Sequence, residues 1–233
     1  MADTCPSCRR NFKRLGTHWA RSECERPSFS EHQIEILVGL LMGDGDIHGR
    51  SDPNPHFRIR MTNPAFLSYL DDCFGVLSTG VFLDRDADYQ YRQAAESEHE
   101  KFTVTNREEY NDLHGLRTRS HPQLHELKQW YRSGEKRFPS DLTITPTIAK
   151  MWYVCDGWLA QEKDHRPCVM IKATNEADRA EYLKNLFSEQ GLEPHFTRTE
   201  LQFTTNQTEG FLDWIGSPLP GFEYKWPSLR NQE

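Results

Sequence analysis

Leu37-Val-Gly-Leu-Leu-Met-Gly-Asp-Gly45 decides how the chain is read, because Met151-Trp-Tyr-Val-Cys-Asp-Gly157 answers it, with Asp44 and Asp156 112 residues apart. Further matches follow in order. Phe57-Arg-Ile-Arg-Met-Thr-Asn63 is echoed by Val169-Met-Ile-Lys-Ala-Thr-Asn175 at the same offset of 112, so Ile59 meets Ile171 and Arg60 meets Lys172. After one inserted residue, Tyr69-Leu70 and Phe74 correspond to Tyr182-Leu183 and Phe187. Thr105-Asn106 and Thr205-Asn206 form a last pair, each expected between a strand-rich run and a helix. Matches kept in register over such a length mark an internal duplication.

Each repeat reads as helix, strands, helix, strands, helix. Ser30 with Gln33 makes a capping box ahead of Ile34, and Ile34, Leu37, Val38, Leu41 and Met42 then fall at helical spacing. The glycines on either side of Asp44 end that helix. In the second repeat Thr145 is placed to cap, Pro146 stands at the first helical position, and Gly157 ends the helix. Phe57, Ile59 and Met61 alternate with Arg58, Arg60 and Thr62, as do Val169, Ile171 and Ala173 with Met170, Lys172 and Thr174. That period of two predicts strands with one buried and one polar face. Helices after Asn63 and Asn175 are expected to cover the buried faces.

Two helices ending in Asp-Gly at equivalent places imply a pseudo-two-fold axis. If they pack along it, Asp44 and Asp156 meet at the foot of the seam, among the carbonyl oxygens of the helix C-termini. Two carboxylates with the carbonyls of Gly43 and Cys155 would make a hard oxygen site suited to Mg²⁺. Taken singly, Asp-Gly is ordinary turn chemistry; the duplication favours the paired site.

These residues resemble a known family. Leu37 to Gly45 is similar to the LAGLIDADG motif. Leu127-Lys-Gln-Trp-Tyr-Arg-Ser-Gly-Glu-Lys-Arg-Phe-Pro139, Ile144-Thr-Pro146 and Trp152-Tyr-Val-Cys-Asp-Gly157 resemble the second-motif region of monomeric members, and the likeness covers residues 30 to 226. The resemblance implies an α+β fold of two αββαββα repeats whose sheets form a β-saddle over DNA. It also implies that the eighth motif residue, here Asp44 and Asp156, is the metal-binding acid. The implied activity is that of a homing endonuclease, site-specific on double-stranded DNA, hydrolysing phosphodiesters with divalent metal and leaving 3′ overhangs. The second motif departs from the pattern. Gly39 and Gly43 face Met151 and Cys155 by the offset of 112, so a larger side chain has to nest against each glycine.

Transition-state charge asks for a cation near the phosphate. Lys136 and Lys225, near the ends of their repeats, are the catalytic candidates, with a solvated lysine as the plain alternative for each. Target reading falls to Arg58, Arg60, Thr62, Lys172 and Thr174, with Arg92, Thr103, Arg198, Gln202 and Thr204 expected in later strands.

At the N-terminus, Cys5, Cys8, His18 and Cys24 give C-x₂-C-x₉-H-x₅-C. Soft thiolates on a tight turn, joined by a returning His and Cys, suit structural Zn²⁺. Only Phe12, Leu15 and Trp19 can form a core there, so metal has to supply most of the folding energy. Arg9, Arg10, Lys13 and Arg14 make the knuckle basic and suggest DNA phosphate contacts; a structural or protein-binding knuckle is the alternative. The organisation expected is a zinc knuckle over 1–27, repeat 1 over 28–139 and repeat 2 over 140–233.

The net charge of −7 speaks against a DNA binder until its distribution is considered. Residues 1–26 carry six basic and three acidic side chains, and Arg outnumbers Lys 19 to 9 over the chain. An acidic, lysine-poor surface fits a salt-loving host and predicts binding that persists at high salt. With no membrane-length apolar run and no signal peptide, a prokaryotic, cytoplasmic, nucleoid-associated monomer is expected. Two other readings remain: an RNA-binding maturase that recognises intron RNA, and a DNA-binding regulator that does not cut, for which loss of a carboxylate would be the sign.

Overall fold

The computed structural model describes residues 3–51, 54–96, 106–132, 134–160 and 167–226. Its first module is small. β1 (Asp3–Thr4) pairs antiparallel with β2 (Asn11–Phe12), and α1 (Leu15–Arg21) closes over them. Cys5, Leu15 and Trp19 form a core separate from the main one. Two contacts tie the module to the body: Arg119 Nη2 donates to Asp3 Oδ2 at 2.5 Å, and Arg26 Nη1 donates to the Ser120 carbonyl at 3.3 Å.

Repeat 1 opens with α2 (Glu31–Met42), whose capping box is complete: Ser30 Oγ accepts from the Gln33 amide and Gln33 Oε1 accepts from the Ser30 amide. β3 (Asp46–His48), β4 (His56–Met61), α3 (Pro64–Phe74), β5 (Ser78–Arg85), α4 (Ala87–Ala95) and β6 (Leu113–Thr118) follow. After β6 the chain forms a 3-10 stretch over Pro122–Trp130 and the hairpin of β7 (Tyr131–Arg132) and β8 (Glu135–Lys136). Repeat 2 comprises α5 (Pro146–Asp156), β9 (Gly157–Ala160), β10 (Cys168–Lys172), α6 (Ala180–Ser188), β11 (His195–Thr197), β12 (Glu200–Gln202) and α7 (Thr205–Ile215).

Each repeat builds a four-stranded antiparallel sheet with its strands in the same spatial order. The orders are β3-β4-β6-β5 and β9-β10-β12-β11. The buried faces carry the predicted alternation. Phe57, Ile59 and Leu116 point inward from the first sheet and Val169, Ile171 and Leu201 from the second, beneath Phe66, Leu70 and Phe74 of α3 and Leu183 and Phe187 of α6. All belong to one continuous core with the motif helices α2 and α5 at its centre.

Several expectations shift in detail. Asn63 caps α3 through the Phe66 amide at 3.1 Å, with Pro64 behind it, but Asn175 lies inside a 3-10 turn over Thr174–Arg179 and α6 starts later. Thr205 opens α7, whereas Asn106 only caps a short 3-10 turn and β6 comes after it, so that last sequence pair is not structurally equivalent. The insertion of α4 between β5 and β6 is what disturbs the alignment.

Candidate active site

Close helix contact makes the site. A Cβ placed on Gly39 would lie 2.5 Å from the Ile148 carbonyl oxygen and 2.6 Å from Met151 Cβ, and one on Gly43 would overlap Cys155 Cβ. The missing side chains of α2 are therefore filled by those of α5, and the seam is tight to its end. There, a Cβ on Gly43 would sit 3.6 Å from the Asp156 carboxyl carbon, so the carboxylate of α5 crosses the axis to the turn that carries Asp44.

Asp44 is exposed and Asp156 half-buried at the end of the seam. Asp44 keeps contact with solvent at the mouth of the seam, yet the protein crowded around it raises its pKa, opposed by Lys136 and Lys225. Burial and the charge of Asp44 push Asp156 up to about 6. The field of Asp44 at Asp156 means that the two acids stand close to one another.

The lysines finish the helix ends in parallel ways. Lys136 Nζ donates to the carbonyls of Gly43 and, at 3.1 Å, Gly45. Lys225 Nζ donates to Val154 at 2.8 Å, Gly157 at 2.6 Å and Tyr153 at 3.4 Å. Gly45 and Gly157 are equivalent at the offset of 112, so each ammonium caps the glycine after a motif aspartate. A cation there opposes the negative end of the helix dipole. Burial lowers the pKa of each lysine while the carboxylates counteract it. Lys225 is buried with all three N–H groups committed. Among the described residues Lys136 bonds two carbonyls, which leaves one N–H for another acceptor.

The sequence gives no warning of what surrounds Lys136. Tyr131 Oη donates to Asp46 Oδ1 at 2.5 Å and accepts from the Ile47 amide at 3.0 Å, while Arg50 stacks 4.1 Å from its ring centroid. Two residues beyond the lysine, the Phe138 amide donates to the buried Glu176 at 2.7 Å, and Glu176 pairs with Arg179 at 2.9 Å. Arg179 in turn donates to the Phe138 carbonyl, so the segment that follows Lys136 is clamped to repeat 2.

Arg58, Arg60, Met170 and Lys172 stand on the polar faces as alternation required, and Gln202 joins them opposite Met170. Thr62 lies exposed just beyond β4. Others fall elsewhere. Arg92 is on helix α4 rather than a strand, Thr174 begins a 3-10 turn, Arg198 occupies the β11–β12 turn with φ of 37°, and Thr204 is the capping residue of α7. Thr103 lies outside the described residues. Turn and cap chemistry outweighed the period-two pattern at these ends. Arg9, Arg10, Lys13 and Arg14 are all exposed on the knuckle.

In that knuckle the ligand atoms of Cys5, Cys8, His18 and Cys24 lie within 4.8 Å of one another. Cys5 donates its amide to the Arg10 carbonyl, and its own carbonyl accepts from Arg9, both at 2.8 Å; Arg9 adopts a φ of 61° to close the turn. Phe12 stacks on His18 at 3.7 Å between ring centroids and fixes the imidazole. Burial opposes ionisation of Cys5, but the amides of Cys8 and Ser7 outweigh it and bring the thiol down to about 6. Three thiols and one imidazole this close have the number and softness of a tetrahedral zinc site.

The chain is thus a duplicated α+β fold with an acid from each repeat at the end of its motif helix and a polar face on each sheet. Residues 34–210 match the LAGLIDADG DNA endonuclease family, and the chain belongs to it. Among solved structures it is similar to the homing endonuclease I-WcaI bound to its DNA recognition sequence. The TM-score is 0.65 and the identity 15%, and the match covers 86% of this chain and 88% of that one. No curated protein matches the sequence. None of the described helices is long and apolar enough to cross a membrane.

Proposed function

We propose that the chain is a monomeric, site-specific homing endonuclease that cuts both strands of a long DNA target at the Asp44–Asp156 site with Mg²⁺, leaving 3′ overhangs. The observation that carries this reading is the convergence of one carboxylate from each repeat on a single helix seam, between two polar-faced sheets. The donor set fits a hard divalent ion: two carboxylates beside helix-end carbonyls and no thiolate, since burial and Asp44 hold the Cys155 thiol protonated. Of the carbonyls considered as ligands, Gly43 already accepts from Lys136, which leaves Cys155 and the acids as the freer donors. Bound there, the cation would supply Lewis-acid activation of water and of the leaving oxygen.

The chain's own groups do the positioning. Asp44 and Asp156 are the groups that would hold the cation. Lys136, with one N–H uncommitted, is the lysine able to meet a scissile phosphate oxygen. Lys225 acts through its field and its cap on α5. Zn²⁺ on Cys5, Cys8, His18 and Cys24 would stabilise the knuckle, whose Arg9, Arg10, Lys13 and Arg14 add phosphate contacts outside the saddle.

The test is incubation with a randomised plasmid library in Mg²⁺ or in EDTA, followed by sequencing of cut ends. One long enriched site with staggered ends, seen only with Mg²⁺, is expected. Absence of cutting at every salt concentration, with tight binding to an intron RNA, would instead assign the maturase role.

A further inference from the structure

The two sheets share a backbone plan but not a chemistry. Asp46 and Arg58 are direct cross-strand partners on the polar face of the first sheet. The positions 112 residues later, Trp158 and Met170, are direct partners on the same face of the second. Asp46 and Trp158 each stand two residues past a motif aspartate, about 7 Å of strand from it. Both pairs therefore stand on the polar sheet faces close to the two aspartates.

Around Arg58 the first sheet gathers guanidiniums, and burial beside Arg58 disfavours the charged form of His48. Arg117 is the direct partner of Arg58 on β6, Arg60 follows Arg58 on the same strand, and His48 and His56 stack at 5.5 Å. The guanidiniums are oriented before any ligand arrives: Arg117 lies 4.5 Å from the Phe82 ring centroid, and Arg60 is 3.5 Å from Asp84. Phe82 itself is seated over Gly115, where any side chain would strike the ring. Pre-set planar forks suit bidentate recognition better than loose phosphate contact.

In the second sheet Met170 is flanked by Trp158 on β9 and Gln202 on β12, and Gln202 Nε2 reaches Cys168 Sγ at 3.8 Å. Among the described residues of these strands the one cation, Lys172, stands opposite Glu200. Trp158 is 37% exposed, which places a large apolar side chain on the face turned to the groove.

From this contrast, and resting on the proposed endonuclease function, we infer that the target is chemically lopsided. The half-site under repeat 1 contains guanines read by Arg58, Arg60 and Arg117. The half-site under repeat 2 is A·T-rich, with thymine methyls against Met170 and Trp158 and an adenine taken by Gln202. Arginine forks match guanine O6 and N7, an amide matches adenine N6 and N7, and apolar groups select the thymine methyl.

The test selects bound duplexes from a randomised library in EDTA, so that reading is measured apart from cutting, and then exposes the selected DNA to Mg²⁺. Guanine enrichment confined to one half is expected. Arg58→Ala should lower guanine preference roughly tenfold or more in that half alone, while Met170→Ala should relax thymine preference only in the other. Met170→Arg, which imports the repeat 1 residue, should shift one position of the second half toward guanine. Melting curves of each variant confirm folding. Equal guanine content in both halves, Arg58→Ala acting on both alike, or no selectable duplex would overturn the inference. Selected DNA that shows the asymmetry but is never cut would sink the endonuclease reading and leave this one standing.

Discussion

Asp156 sits half-buried at the foot of the helix seam, with the charge of Asp44 acting on it. Its folded pKa of about 6 lies above the ordinary carboxylate value, so the folded state binds the proton more tightly than the unfolded chain. Stability of the metal-free protein therefore falls as pH rises from about 4 to 6, and the deficit persists above that range. Asp156→Asn should raise the melting temperature in EDTA at pH 7.5 by a few degrees, on the order of 1–2 kcal/mol after allowance for solvent screening. The gain should vanish near pH 4. Unchanged melting at neutral pH would contradict the crowding of the two acids. The lysines separate by the same reasoning. Lys225→Met removes a buried donor from the Val154 and Gly157 carbonyls, while Tyr153 keeps the Gly157 amide, and should destabilise by about 2 kcal/mol. Lys136→Met should cost less stability but more activity, because Lys136 retains a donor for the phosphate. Thermal melts alongside single-turnover cleavage distinguish them, and equal losses in both assays would count against the division of labour.

At the scale of elements, the helix seam and the knuckle each give one clear test. Gly39→Leu drives a side chain into the Ile148 backbone and should cost about 3 kcal/mol or more, whereas Met151→Leu keeps volume and should cost less than about 1.5. Equal melting temperatures for the two would mean that α2 and α5 do not meet there. In the knuckle, Cys8→Ser removes one of the four proposed zinc ligands and should release about one zinc per chain in a native mass-spectrometric metal count. A wild-type count of zero would remove the metal. The elements were legible to different degrees. The Ser30 and Thr145 caps, the Gly-bounded motifs and the β4 and β10 alternation depend on neighbours in sequence, and they were readable there. The clamp of Glu176 and Arg179 on Phe138, and that of Tyr131 on Asp46, join residues 38 and 85 positions apart. No local pattern encodes such pairings. Arg92, Arg198 and Thr204 were misplaced because helix, turn and capping preferences at strand ends look polar in the same way that a groove face does.

For the whole molecule, duplication sets the geometry and divergence sets the chemistry. Like strand orders in the two sheets carry unlike side chains, and a knuckle with a net charge of +3 over residues 1–26 is joined to a body of opposite sign. Binding should persist at salt concentrations that dissociate basic DNA-binding proteins, with a shallow dependence of affinity on salt. Replacing Lys13 and Arg14 with Ala should reduce that slope by roughly one to two units, read in filter-binding titrations. A slope that does not move would place the knuckle away from the duplex.

One measurement bears most directly on the joined carboxylate site: strand-resolved cleavage of the selected target by Asp44→Asn in Mg²⁺, with binding followed in parallel. The variant is expected to bind the DNA as the wild type does while cutting and nicking neither strand. Full cleavage by Asp44→Asn would show that the acids at the helix seam are not where the phosphodiester is broken.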